Sequence, residues 1–269
     1  MPAARHAAVA GLFYPADPLE LRRLVQHDLS GAAVDDDDPA DAPAPPKLLI
    51  VPHAGYAYSG AVAARAYALL KTGGARRIER VVLLGPAHRL AVRGLVVPQA
   101  QAFETPLGTV ALDGAALHDL DGLGQVASSD APHAQEHSLE VQLPFLQALL
   151  GDGFELVPLL VGGAGAEAVA QVLEALWGDD GTLVVISSDL SHYLPYEHAQ
   201  RVDRTTAQRI LDFDASLSPH EACGSAAING ALLAAKRHGL APRLLDLRNS
   251  GDTAGDRARV VGYGAFAFA

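Results

Sequence analysis

The chain reads as a single α/β domain with a central, mostly parallel sheet covered by helices on both faces. Three observations predict this. Short apolar runs, such as Leu48-Leu49-Ile50-Val51 and Val81-Val82-Leu83-Leu84, alternate with stretches of helical periodicity. Each of these runs stops abruptly at proline, glycine or serine and passes into a polar loop. The chain has 269 residues, 49% of them apolar, enough for one large domain with a substantial core.

Taken in order, the N-terminal stretch Ala10-Gly11-Leu12-Phe13-Tyr14-Pro15 is an irregular aromatic lead-in. Asp17-Pro18-Leu19-Glu20 is a helix start, because Asp17 can cap, Pro18 suits the first turn and Glu20 can reach back. Leu21, Leu24, Val25 and Leu29 continue on one helical face. Residues 31–46, rich in aspartate and proline, predict an acidic surface loop within the domain 1–269. A strand at 47–51 follows, then an alanine-rich helix from Ser59 to Leu70 ending near Gly73-Gly74.

The second strand, Val81 to Leu84, closes at Gly85-Pro86-Ala87-His88. Residues 92–97 and 109–112 are β-like and suggest a hairpin around Phe103-Glu104-Thr105-Pro106-Leu107-Gly108. Leu139, Leu143, Leu146, Leu149 and Leu150 mark a helix with a kink at Pro144. Strands at 154–161 and 182–186 bracket a helix from Ala166 to Trp177. Residues 197–213 are helical, and a further helix follows Cys223-Gly224 and stops at Gly239. Strands at 243–247 and 260–268 complete the chain.

The net charge of −11 argues against a nucleic-acid partner or an anionic membrane surface, both of which require a basic face. No apolar run approaches the roughly 20 residues of a membrane span. The N-terminal residues lack a signal-peptide core, so a cytoplasmic location is expected. The one cysteine, Cys223, excludes an internal disulfide.

The chemistry concentrates after the strands. His53 follows the first, His88 the second and His192 the fourth, and that last loop also carries Asp189. In a parallel sheet these ends lie on one edge, where α/β proteins gather ligands. Cys223 precedes a helix start, whose free N–H groups favour a thiolate; packing as a small hydrophobe is the alternative. His137, preceded by Glu136, opens another helix. Two histidines with one anionic donor suit an open site for iron, copper or zinc. A further histidine could then move protons, held in one tautomer by a carboxylate such as Asp189. Tyr56, Tyr58 and Tyr193 could stack on a ligand.

Two other readings compete. Residues 163–168, Gly-Ala-Gly-Ala-Glu-Ala, have the form of a short dinucleotide-binding turn. Ser187 or Ser188 with His192 and Asp189 could form a hydrolytic set, although all lie within six residues and no G-x-S-x-G elbow is present.

Several segments, in order across almost the whole chain, resemble the Memo-like family, known in prokaryotes as AmmeMemoRadiSam system protein B. They include Gly11-Leu12-Phe13-Tyr14-Pro15, Pro52-His53-Ala54-Gly55-Tyr56, Gly85-Pro86-Ala87-His88, Glu136-His137-Ser138-Leu139-Glu140, Ser187-Ser188-Asp189-Leu190-Ser191-His192 and Cys223-Gly224. The resemblance implies a fold like that of class III extradiol dioxygenases, which use non-haem iron(II). It implies metal ligation by His53, His88 and Cys223, with His192 as the acid–base group, Asp189 beside it and His137 lining the cleft. Cys223 stands where the dioxygenases have a carboxylate.

The implied function is an iron- or copper-dependent oxidoreductase, with iron(II) expected first and copper or zinc next. Its cleft would take a small molecule or peptide. The alternative is a non-catalytic metal- or peptide-binding scaffold acting with AMMECR-type and radical-SAM proteins.

Overall fold

Three adjacent strand ends position the site, and the chain reaches them by the following path. The structure, a computed structural model, describes residues 3–32, 45–72 and 77–269. Most of the expected acidic loop, and the Gly73-Gly74 stop, lie outside the described residues. A short strand β1 (Ala4–Arg5) leads to helix α1 (Pro18–Gly31), whose cap Asp17 accepts from the main chain of Leu19 and Glu20 as expected. Then come β2 (Leu48–Val51), α2 (Tyr56–Tyr67), α3 (Leu69–Thr72) and β3 (Arg80–Pro86). The middle of the chain gives β4 (Leu95–Val97), β5 (Ala102–Thr105), β6 (Gly108–Ala111), α4 (Gly114–Asp119) and β7 (Val126–Ser128). Helix α5 (Leu143–Leu150), β8 (Glu155–Val161), α6 (Ala166–Leu176) and β9 (Thr182–Ser187) follow. The last part is β10 (His192–Leu194), α7 (Tyr196–Leu211), α8 (Ser225–Arg237), β11 (Pro242–Asn249) and β12 (Val260–Phe268).

The main sheet has nine strands in the order β10-β12-β2-β9-β3-β8-β4-β7, with β11 also paired to β12. Strands β2, β9, β3 and β8 are parallel neighbours. The expected parallel centre is joined at its flanks by antiparallel strands. Strand β12 runs antiparallel to β2, and β4 antiparallel to β8. A parallel strand needs a long crossover, whereas β11 and β12 are close enough in sequence to return directly.

The apolar runs are continuous because both faces of these strands are covered. Leu49, Val51, Leu83 and Val185 face a core shared with α1, α2 and α5. Leu48, Ile50, Leu84 and Ile186 face the other core, shared with α6, α7 and α8. All eight are fully buried. Each such side chain contributes about 1.5–3 kcal/mol of transfer free energy.

Two local expectations change. Pro144 does not kink a helix: it lies in the first turn of α5, where its missing N–H costs nothing, and residues 140–142 form a separate 3-10 turn. The helix expected to end at Leu70 breaks earlier, at Ala68. The hairpin near Phe103 is present as β5–β6, and β1 joins it in a second, three-stranded sheet.

Candidate metal centre

In the parallel register Ile50 of β2 stands beside Ile186 of β9, which stands beside Leu84 of β3. The three strands therefore deliver their following loops to one edge. His53 and His88 each come two residues beyond their strand, and Asp189 two residues beyond β9. His137 arrives from the segment before α5. One ligand atom from each of His53, His88 and His137 lies within 4.8 Å of the other two. The ring centroids are 5.2 Å apart for His53–His88, 5.4 Å for His53–His137 and 4.8 Å for His88–His137.

Hydrogen bonds set the tautomers. Ser187 Oγ donates to the Ser138 carbonyl, so it accepts from His53 Nδ1 at 2.9 Å and from Gln142 Nε2 at 2.8 Å. That leaves the lone pair on His53 Nε2, where the Cys223 thiol lies within hydrogen-bond reach at 3.3 Å. His88 Nδ1 donates to Glu136 Oε1 at 2.9 Å, which frees its Nε2 in the same way. Glu136 is the hub of this corner, accepting also from the main chain of His88, His137 and Ser138. Burial works against its carboxylate, but these hydrogen bonds hold its pKa well below the usual range. His137 Nδ1 is buried without a hydrogen bond; Glu136 Oε1 lies 3.3 Å away, poorly directed. Burial pushes the pKa of His53 well down and that of His137 to about 4, so both rings are neutral donors at neutral pH.

The expected site residues largely converge. A cleft of about 640 Å³ is lined by His53, His88, His137, Asp189 and His192, together with Phe13, Tyr58 and Tyr193. Cys223 is not among the lining residues, but its Sγ stands on the Nε2 side of His53, 3.3 Å from that nitrogen. Three expectations need revision. Burial, with Asp189 nearby, pushes the Cys223 thiol up to about 12, outweighing the helix terminus that would favour a thiolate. The group fixing His192 is not Asp189 but the Leu190 carbonyl, which accepts from His192 Nδ1 at 2.8 Å. Asp189 Oδ1 instead accepts from the His53 main chain at 2.8 Å, and burial raises its pKa to about 7. Tyr56 is not in the cleft; it is buried, with its hydroxyl donating to the Val141 carbonyl.

The competing readings lose their groups. Ser187 is spent on His53, and Ser188 Oγ donates to the Asp189 carbonyl and accepts from Gly224 N. Neither is exposed. The turn at 163–168 lies outside the cleft. His133 is a core residue whose Nε2 donates to the Val96 carbonyl.

Sequence reasoning undervalued Glu136, Ser187 and Gln142, the residues that orient the rings. Glu136 had a readable signal, a carboxylate beside His137. Gln142, from a 3-10 turn, had none.

Fold and donors together define an α/β protein with a candidate three-histidine metal site at the carboxyl ends of its central strands. The chain belongs to the Memo-like protein family, whose profile matches residues 5–267. It is 37% identical to a MEMO1 family protein of Methanopyrus kandleri, with 98% of each chain covered. It is 36% identical to one from Aquifex aeolicus, over 96% of this chain and 97% of the relative. A crystal structure described as an uncharacterized protein of Escherichia coli K12 superposes with a TM-score of 0.48 at 15% identity, covering 80% of this chain and 98% of that one. Nothing about the site follows from that likeness.

Proposed function

We propose that the cleft is the centre of a metal-dependent oxidoreductase, with iron(II) as the first candidate and copper or zinc as the others. The observation that carries this reading is the convergence of three ring nitrogens, from His53, His88 and His137, with two tautomers already fixed for donation. The donor set fits a transition metal: imidazole nitrogens, backed by hydrogen bonds, at a cleft open to solvent. Cys223 is proposed as a further donor, its buried thiol giving up its proton when a metal binds. Adjacent nitrogen and thiolate donors on one metal stand about 3.1–3.5 Å apart, and Sγ is 3.3 Å from His53 Nε2. When bound, iron or copper supplies Lewis acidity and one-electron chemistry.

The chain's own part is positioning and proton movement. His192 Nδ1 donates to Leu190, so its Nε2 carries the lone pair and serves as a general base in the cleft. Burial lowers its pKa, which keeps it in the base form at neutral pH. Asp189 holds the His53 backbone, and its raised pKa lets it carry a proton near pH 7. Phe13, centroid 4.6 Å from the His137 ring, closes one side against water.

Electron paramagnetic resonance after anaerobic loading with iron(II) and exposure to nitric oxide tests this reading. A ferrous-nitrosyl signal is expected in wild type and in His192→Gln, and is expected to be lost in His53→Ala. Iron-loaded wild type without that signal would overturn the open-site reading and leave the non-catalytic scaffold as the better account.

A further inference from the structure

Two guanidinium groups flank the imidazoles. Arg89 follows His88 in the loop after β3, and Arg259 immediately precedes β12. The strand order β12-β2-β9-β3 puts these positions on opposite sides of the loop that carries His53. Both side chains line the cleft. Among the described residues neither forms an ion pair with a carboxylate. The two carboxylates of the cleft wall are held by main-chain donors, Asp189 Oδ1 by the His53 N–H and Asp256 Oδ1 by Ala258 N at 2.8 Å, and neither pairs with these arginines.

Arg259 is also held in a way that keeps it available. Its guanidinium carbon lies 5.1 Å from the centroid of the Tyr193 ring. Stacking occupies a face of the guanidinium and leaves its edge N–H groups free for a planar anion. Tyr193 has φ +58°, a left-handed conformation that costs a residue with a side chain free energy. The strained residue is 62% exposed, and its ring lies beside His192 and against Arg259. Tyr58, 41% exposed, lines the same cleft.

The geometry points to a small organic anion with a planar apolar body as the ligand class of this cleft. Its anionic group meets the edge of Arg259, with Arg89 opposite, and its body lies against Tyr193 and Tyr58. This deepens the reading of the cleft as a metal-dependent active site and rests on that reading for the reactive end of the ligand.

Titration calorimetry at low ionic strength, with benzoate, its uncharged isostere benzamide and phenyl phosphate as probes, tests the inference. Benzoate is expected to bind about tenfold more tightly than benzamide. The preference is expected to fall to about twofold or less in Arg259→Gln and to survive in part in Arg259→Lys, which keeps the charge but loses the fork. Phenyl phosphate binding more tightly than benzoate would assign the anion as a phosphate monoester; weaker binding would assign it as a carboxylate. Equal affinity for benzoate and benzamide, or a preference unchanged in both Arg259→Gln and Arg89→Gln, would overturn the inference. Circular dichroism of each variant guards against misfolding, and both positions are exposed. The titrations are repeated in a His53→Ala/His88→Ala background. A preference that persists there without bound metal separates this inference from the metal reading, which fails on its own terms if wild type binds no metal.

Discussion

Ser187 and Asp203 show what single residues contribute here. Ser187 looks like a nucleophile in the sequence, one of two serines near a histidine and an aspartate. The structure spends its hydroxyl on the Ser138 carbonyl and turns its lone pairs to His53 and Gln142. Sequence shows which residue types are near one another, not which hydrogen bonds they have already made. Asp203, on α7, drew no attention in the sequence, yet its buried Oδ1 accepts from Ser191 N at 3.0 Å, next to His192. Burial raises its pKa to about 6, against the pull of that hydrogen bond. The folded state therefore favours the protonated form. This contribution is fully present below the unfolded pKa of about 4 and is lost as pH rises through about 6. Asparagine keeps the acceptor oxygen without the charge. Asp203→Asn is expected to match wild type in thermal melting near pH 4 and to gain on it by a few degrees near pH 7. A difference that does not change with pH would show that Asp203 titrates normally.

Among the elements, β2, β3, β8 and β9 were legible because strands buried on both faces leave unbroken apolar runs. Their ends were legible too, and with them the placement of His53, His88 and Asp189. Strands β1, β7 and β10 have two or three residues each, and only distant partners make them strands. No local pattern could announce them. Pro144 was misread because a proline within a helical pattern has two meanings, a kink or a beginning, and only the 3-10 turn before it decides. The packing of α6 on α8 gives a sharp test of such close approaches. A Cβ at Gly230 would sit 2.4 Å from Val169 Cβ and 3.1 Å from the Ala166 carbonyl oxygen. In an open helix, glycine to alanine stabilises by up to about 1 kcal/mol. Here the added atom cannot rotate away, and overpacking costs about 1–3 kcal/mol. Gly230→Ala is expected to lower the melting temperature by several degrees. A rise would mean the two helices can separate slightly without loss.

At the scale of the whole molecule, composition and site point in different directions, and both are informative. The net charge of −11 describes a surface unsuited to nucleic acid, while the cleft gathers imidazoles and two arginines beside Asp189 and Asp256. Among the described residues no helix is long and apolar enough to cross a membrane. The strand-end rule located the candidate site from sequence, and the family resemblance gave Cys223 its expected role as a ligand. Neither indicated how close His137 would come, because it arrives from a polar segment outside the parallel strands and is placed by Glu136. The donor set is thus the central claim, and metal content measures it most directly. Protein loaded with iron(II) without oxygen, desalted and analysed by mass spectrometry, is expected to hold about one metal per chain. Cys223→Ala and His137→Ala are each expected to weaken that binding, and His53→Ala/His88→Ala to abolish it. Wild type with no retained iron, copper or zinc, or a His53→Ala/His88→Ala protein that retains as much as wild type, would contradict the account.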